Sequence, residues 1–165
     1  MGTHSASRDA HLSTLPLREA ASKALAGCHC SDIMPMEMDP TKKVLLVDDD
    51  GIYIFLLKRL LKRLGSVGEV VSAKEGSEAL AMLRMDAERG TLPQVIITDI
   101  QMPGMDGIAF AKELAKLGLV DYRHTKVILN SGKASYANLD WPVEVPSASF
   151  FPKPLTYEDL AGILG

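Results

Sequence analysis

Cysteine is nearly absent: the 165 residues hold two, both in Cys28-His29-Cys30. Thiols one residue apart make no disulfide framework, so a reducing compartment is expected and stability must rest on an apolar core. A metal site on Cys-His-Cys would need a fourth ligand, which His4 or His11 supplies only by folding back; an unstructured segment is the simpler reading. Also missing is any apolar run near the ~18 residues of a membrane span. The first residues carry no basic stretch leading into an apolar one. Neither membrane insertion nor export is expected, which places the chain in the cytoplasm. Positive charge is not in surplus: 18 Lys and Arg stand against 21 Asp and Glu. Without a basic excess, nucleic acid is not an expected partner.

What is present is the ordinary mixture of one globular domain, 47% apolar and 24% charged. Residues 1–40 stand apart, rich in Ser, Thr, Ala and His, and ending in Met34-Pro35-Met36-Glu37-Met38-Asp39-Pro40. They read as a flexible N-terminal arm. One short helix over 16–26 is expected within it, with Thr14 as cap, Pro16 in the first turn and Leu17, Ala20, Ala21, Ala24 and Leu25 recurring before Gly27.

Over residues 41–165, short apolar runs alternate with helical periodicity, the pattern of strand-helix units around a parallel sheet. Strands are expected at Val44–Val47, Glu69–Ser72, Val95–Thr98, Val127–Leu129 and Ser149–Phe151. Helices are expected at Ile52–Leu64, Gly76–Glu88, Gly107–Leu117, a short stretch after Lys133, and Thr156–Leu164. Pro142 and Pro146 limit the fourth helix to about two turns. The class is α/β, a doubly wound (βα)5 domain. Placing the first strand at the switch point gives a five-stranded parallel sheet of order 2-1-3-4-5.

Functional groups in such a sheet collect at the carboxyl ends of the strands. Here Asp48 and Asp49 end the first strand, Asp99 the third, Ser131 the fourth and Lys153 the fifth. Carboxylates facing one another require a cation, and an all-oxygen site suits Mg2+, with Mn2+ as its substitute. The acids of Lys43-Val44-Leu45-Leu46-Val47-Asp48-Asp49-Asp50-Gly51 would also favour the N-terminus of the next helix. That reading explains one or two of them, not Asp99, Ser131 and Lys153.

These residues carry a resemblance. The pair Asp48-Asp49 after an apolar strand, Asp99 within Thr98-Asp99-Ile100-Gln101-Met102-Pro103-Gly104-Met105-Asp106-Gly107, the hydroxyl of Ser131 and Lys153-Pro154 together resemble the receiver domain of bacterial two-component response regulators, over residues 41–165. The likeness is to the stand-alone, chemotaxis-regulator type, with a flavodoxin-like fold. It implies that Asp99 is the phosphoacceptor, served by a sensor histidine kinase or a histidine phosphotransfer protein. It further implies Mg2+ held by Asp49, Asp99 and the backbone carbonyl of Gln101, with Asp48 acting through water. Lys153 would pair with Asp99 at rest and, with the metal, offset charge on the phosphoryl oxygens; a cis Lys153-Pro154 bond is implied as well. Ser131 would move onto the phosphoryl group while Phe150 turns inward behind it; a plain core Phe is the other reading of Phe150. Gln101 and Lys133 lie where receivers tune the lifetime of the phosphoryl group.

Output would come by docking to a downstream protein target or by passing phosphate on. The helix Ile52–Leu64 is apolar around more than one stripe, and its surplus face, with Lys58, Arg59, Lys62 and Arg63, reads either as a landing surface for a helical phosphotransfer domain or as a solvated basic face. A homodimer is a further expectation, although the interrupted fourth helix puts the usual dimer face in question. Two rival readings stand beside this one. A haloacid dehalogenase-type phosphatase fits Asp48-Asp49-Asp50 by letters but lacks an acidic pair after its lysine and leaves Asp99 without a role. A receiver-like binding module that works without phosphorylation is the stronger alternative.

Overall fold

The structure is a computed structural model and describes residues 41–133, 136, 145 and 148–165. Five strands, β1 (Lys42–Val47), β2 (Val67–Ala73), β3 (Val95–Asp99), β4 (Lys126–Ser131) and β5 (Ala148–Pro152), form one sheet in the order β2-β1-β3-β4-β5. All four pairings are parallel. The described helices are α1 (Gly51–Arg63), α2 (Gly76–Arg89), α3 (Gly107–Leu117) and α4 (Tyr157–Leu164). The expected arm with its 16–26 helix and the expected helix after Lys133 lie outside the described residues.

Alternation along the central strands explains why their apolar runs are unbroken. Leu45 and Val47 of β1, Ile96 of β3, and Val127 and Leu129 of β4 pack with Leu80 and Leu83 of α2 and Phe110 and Leu114 of α3. Their neighbours Val44, Leu46, Val95, Ile97 and Ile128 point to the other face. There they meet Ile54, Leu57 and Leu61 of α1 and Leu160, Ile163 and Leu164 of α4. A period of two against a sheet covered on both faces requires apolar residues at every position.

Observed strands run one or two residues past the expected ones at most ends, because polar residues there keep their backbone pairing. Lys42 pairs with Val67, Asp99 with Asn130, and Ser131 with Pro152. The helices stop where the chain supplies partners for their ends. Asp50, Asp106 and Thr156 cap α1, α3 and α4, the last with a reciprocal bond to Asp159. Gly90 and Gly118 close α2 and α3 in the left-handed conformation.

One glycine ties fold to site. A Cβ on Gly107, the first residue of α3, would lie 2.1 Å from the backbone oxygen of Asp99 and 3.0 Å from Ile100 Cα. Neither can yield without moving the end of β3. Gly107→Ala is expected to lower stability in urea by about 3 kcal/mol, at the upper end of overpacking costs. Gly76→Ala meets only the flexible side chain of Met105, at 2.8 Å, and should cost less. Gly132→Ala meets nothing within 4 Å and should leave the urea midpoint nearly unchanged. Equal midpoints for the three variants would show that the α3 turn does not constrain Asp99.

Candidate functional site

The three successive acids after β1 divide into separate tasks. Asp50 turns away and caps α1: its Oδ1 accepts from the amides of Ile52 (2.9 Å) and Tyr53 (3.2 Å). Asp48, 4% exposed, points into the carboxyl end of the sheet, where its Oδ1 accepts from the Asp50 amide at 2.9 Å. Asp49 is exposed. The helix-end reading of these acids therefore holds for Asp50 alone.

Asp99, 8% exposed, ends β3 with its Oδ1 accepting from the Gln101 amide at 3.2 Å. Ligand atoms from Asp48, Asp49 and Asp99 all lie within 4.8 Å of one another. Into this cluster reaches Lys153, which follows β5 and whose bond to Pro154 is cis. Its Nζ stands 2.6 Å from Asp48 Oδ2 and 2.9 Å from Asp99 Oδ2. The sequence implied the second contact; the first, shorter one joins β1 to the same ammonium.

Burial acts to lower the pKa of Lys153, but its hydrogen bonds to Asp48 and Asp99 outweigh that, and the net shift is upward. The ammonium therefore stays charged. Burial pushes the Asp48 carboxyl up, against the pull of Lys153 and of the Asp50 amide. Three carboxylates and one ammonium leave two negative charges in excess. A compact, oxygen-only set of that charge fits a hard divalent cation such as Mg2+.

The other expected residues take different places. Ser131, 1% exposed, ends β4 beside it, accepts from the Lys133 amide through its Oγ at 3.3 Å, and takes the Lys153 amide on its carbonyl at 2.9 Å. The side chains of Gln101 and Lys133 are exposed. Phe150 does not belong to the polar cluster: it is half-buried, opposite Leu129 in register, and packs on the layer formed with α2 and α3.

Two residues escaped the sequence reading. Tyr53, on α1, donates its hydroxyl to Asn130 Oδ1 at 2.7 Å and accepts the Leu155 amide at 3.1 Å. Its ring lies under the Lys153 ammonium, 4.5 Å from centroid to Nζ. Asn130 is fully buried and passes its Nδ2 to the Phe151 carbonyl at 2.9 Å. The available signal was Asn130 itself, an amide inside an apolar strand that had to find partners.

Comparison with known proteins agrees with this geometry. Residues 44–164 match the family model described as the response regulator receiver domain. The probable methanogenesis regulatory protein FilR2 of Methanothrix harundinacea is 28% identical over 81% of this chain and 84% of its own length. Protein-glutamate methylesterase/protein-glutamine glutaminase 1 of Paramagnetospirillum magneticum is 32% identical over 73% of the chain, which spans only 30% of that protein. Among solved structures, the chemotaxis response regulator CheY4 of Vibrio cholerae superposes with a TM-score of 0.61 at 28% identity, over 75% of this chain and 96% of that one. A two-component response regulator from Cytophaga hutchinsonii superposes with a TM-score of 0.63 at 27% identity, over 73% of this chain and 92% of that one. With its acids at the ends of β1 and β3 and its lysine after β5, the chain belongs to the response regulator receiver domain family.

Proposed function

We propose that this receiver works as a phosphorylation switch, taking a phosphoryl group on Asp99 from the phosphohistidine of a sensor kinase or histidine phosphotransfer protein. The observation that carries the reading is the meeting of Asp99 with Asp48, Asp49 and the Lys153 ammonium at one sheet end. An Asp99 carboxylate oxygen attacks phosphorus, the P–N bond breaks, and its electron pair leaves on the imidazole nitrogen. Because that transition state is loose, the protein's part is mostly positioning and charge. Asp49, Asp99 and the Gln101 carbonyl would hold Mg2+ directly and Asp48 through water; when bound, the ion supplies positive charge to the phosphoryl oxygens. Lys153 supplies the fixed positive charge on this chain, drawn from its pairing with Asp99 onto the new phosphoryl group.

Ser131 has its hydroxyl at the same sheet end and follows the phosphoryl group, with Phe150 filling the space behind it. Gly132 leaves the approach open, and the exposed side chains of Gln101 and Lys133 flank it and set how readily water removes the phosphoryl group. Residues 41–165 are assigned to the receiver, and residues 1–40 lie outside the described part of the chain.

The face of α1 suits the phosphodonor. Ile52, Phe55 and Leu56 are 75%, 58% and 51% exposed, more apolar surface than a helix packed on one sheet requires. Beside them runs a groove lined by Leu56, Leu60, Pro154 and Leu155, with Arg59 and Arg63 along it. A helical phosphotransfer domain docking there would bring its histidine toward Asp99. Lys58, whose Nζ is held by Ser72 Oγ at 2.9 Å, adds its charge to that of the two arginines. No helix among the described residues is long and apolar enough to cross a membrane. The cytoplasm, where kinases of this kind present their phosphohistidine, is the proposed location.

The test is phosphoryl uptake from acetyl phosphate, followed by intact mass. With Mg2+ the protein should gain one phosphoryl group, and with a chelator it should gain none. Uptake indifferent to chelation, or no uptake in either condition, would count against the reading and in favour of a module that binds partners without phosphorylation.

A further inference from the structure

We propose that Tyr53 is a positioning residue for phosphoryl transfer, its ring serving as the platform that aims the Lys153 ammonium at Asp99. The inference rests on the phosphorylation reading above and adds to it a residue outside the acid, hydroxyl and lysine set. Among the described residues, Lys153 Nζ has three groups around it: Asp48 Oδ2 at 2.6 Å, Asp99 Oδ2 at 2.9 Å and the Tyr53 ring at 4.5 Å. The first two are directional acceptors. The third is a π face, which attracts the charge without fixing any one N–H direction.

That difference bears on the chemistry. Once Asp99 carries a phosphoryl group, the ammonium must shift its hydrogen bonds outward onto new oxygens. A third carboxylate or carbonyl would hold it back, whereas a ring face lets it slide while still excluding water from one side. Positioning of this kind is sharpened when the platform is itself held in place. Tyr53 is fixed at its far end by two hydrogen bonds, to Asn130 Oδ1 at 2.7 Å and from the Leu155 amide at 3.1 Å. Asn130 is in turn held to the Phe151 carbonyl at 2.9 Å. The platform is thereby anchored to β4, to β5 and to the segment just after Lys153, the elements between which the lysine must move.

Ring and hydroxyl have separable roles, and two substitutions divide them. Tyr53→Phe keeps the platform and loses its anchor; Tyr53→Leu loses the platform. With saturating Mg2+ and acetyl phosphate, Tyr53→Leu is expected to slow the maximal uptake rate about tenfold and Tyr53→Phe by no more than about threefold. Mg2+ affinity, titrated on the unphosphorylated proteins, should be unchanged in both. A proton NMR signature provides a second readout that does not depend on the variants folding equally well. In the wild-type protein the Lys153 Hε resonances should be displaced upfield by the ring current of Tyr53, a displacement kept in Tyr53→Phe. Wild-type uptake rates in Tyr53→Leu, equal slowing in both variants, or Lys153 Hε shifts at ordinary lysine values would each overturn the proposal. A wild-type protein that takes up no phosphate would instead remove the phosphorylation reading, and this inference with it.

Discussion

Asp99→Ala, incubated with acetyl phosphate and Mg2+, is expected to gain no phosphoryl group, a fall of at least about a hundredfold in uptake. The neighbouring acids cannot replace it. Asp48 has one oxygen on the Asp50 amide and the other on Lys153, and it is nearly inaccessible. Asp49 is accessible, but among the described residues Lys153 pairs with Asp48 and Asp99 and not with it, so a phosphoryl group there would lack the ammonium. The same substitution should not weaken the fold. It removes one of three clustered carboxylates and leaves Lys153 paired with Asp48, so like-charge repulsion falls while one ion pair survives. In chelator, the variant should unfold at a urea concentration no lower than wild type. Loss of uptake with retained stability assigns the chemistry to Asp99. Mass gain in the variant would place the acceptor elsewhere, and loss of both properties would mean that the carboxylate acts in folding.

The fold was legible where physical constraint is local. Val44–Val47 and Val95–Thr98 could be read as buried strands because a sheet covered on both faces admits no polar position, and the helices because Gly90 and Gly118 mark their ends. Strand ends were less legible, since Lys42, Asp99 and Asn130 enter the ladder through their backbones whatever their side chains. Within the candidate site, composition and order sufficed to bring Asp48, Asp49, Asp99 and Lys153 together. They could not say which of three consecutive acids caps the helix, a matter decided by the extended backbone of Asp50 at φ -82° and ψ 99°. Tyr53 was invisible for a different reason. On α1 it reads as one more apolar position, and both its hydrogen-bond partners stand more than seventy residues along the chain. Only the register of β4 and β5 against α1 creates that contact.

Lys153→Met should destabilise the metal-free protein by about 2–3 kcal/mol in urea unfolding. The side chain it removes is only 20% exposed and is the cation between Asp48 and Asp99, so two largely buried carboxylates are left facing each other. Breaking a fully buried pair from one side costs about 3–5 kcal/mol; the open side of this pocket, next to exposed Asp49, lets water moderate that. Lys133→Met, on an exposed side chain, is the control and should change stability by less than about 0.5 kcal/mol. The pH dependence has a fixed sign. Because the folded-state pKa of Lys153 is raised, its contribution is complete below the ordinary lysine value and is lost as pH rises through the folded one. Asp48 is shifted the other way in effect: its raised pKa makes the ionised form the costly one in the folded protein, so acidification relieves it. Removing the lysine pushes that carboxyl higher still. The gap between wild type and Lys153→Met should therefore be widest near neutral pH and narrow toward both extremes. Mg2+ should narrow it at neutral pH as well, because a divalent cation among Asp48, Asp49 and Asp99 supplies the charge the ammonium no longer provides. A gap that ignores Mg2+ would mean that Lys153 stabilises the fold through its hydrogen bonds to Asp48 and Asp99 rather than through charge that another cation can supply, and a missing gap that the carboxylates are not held together as ions at all.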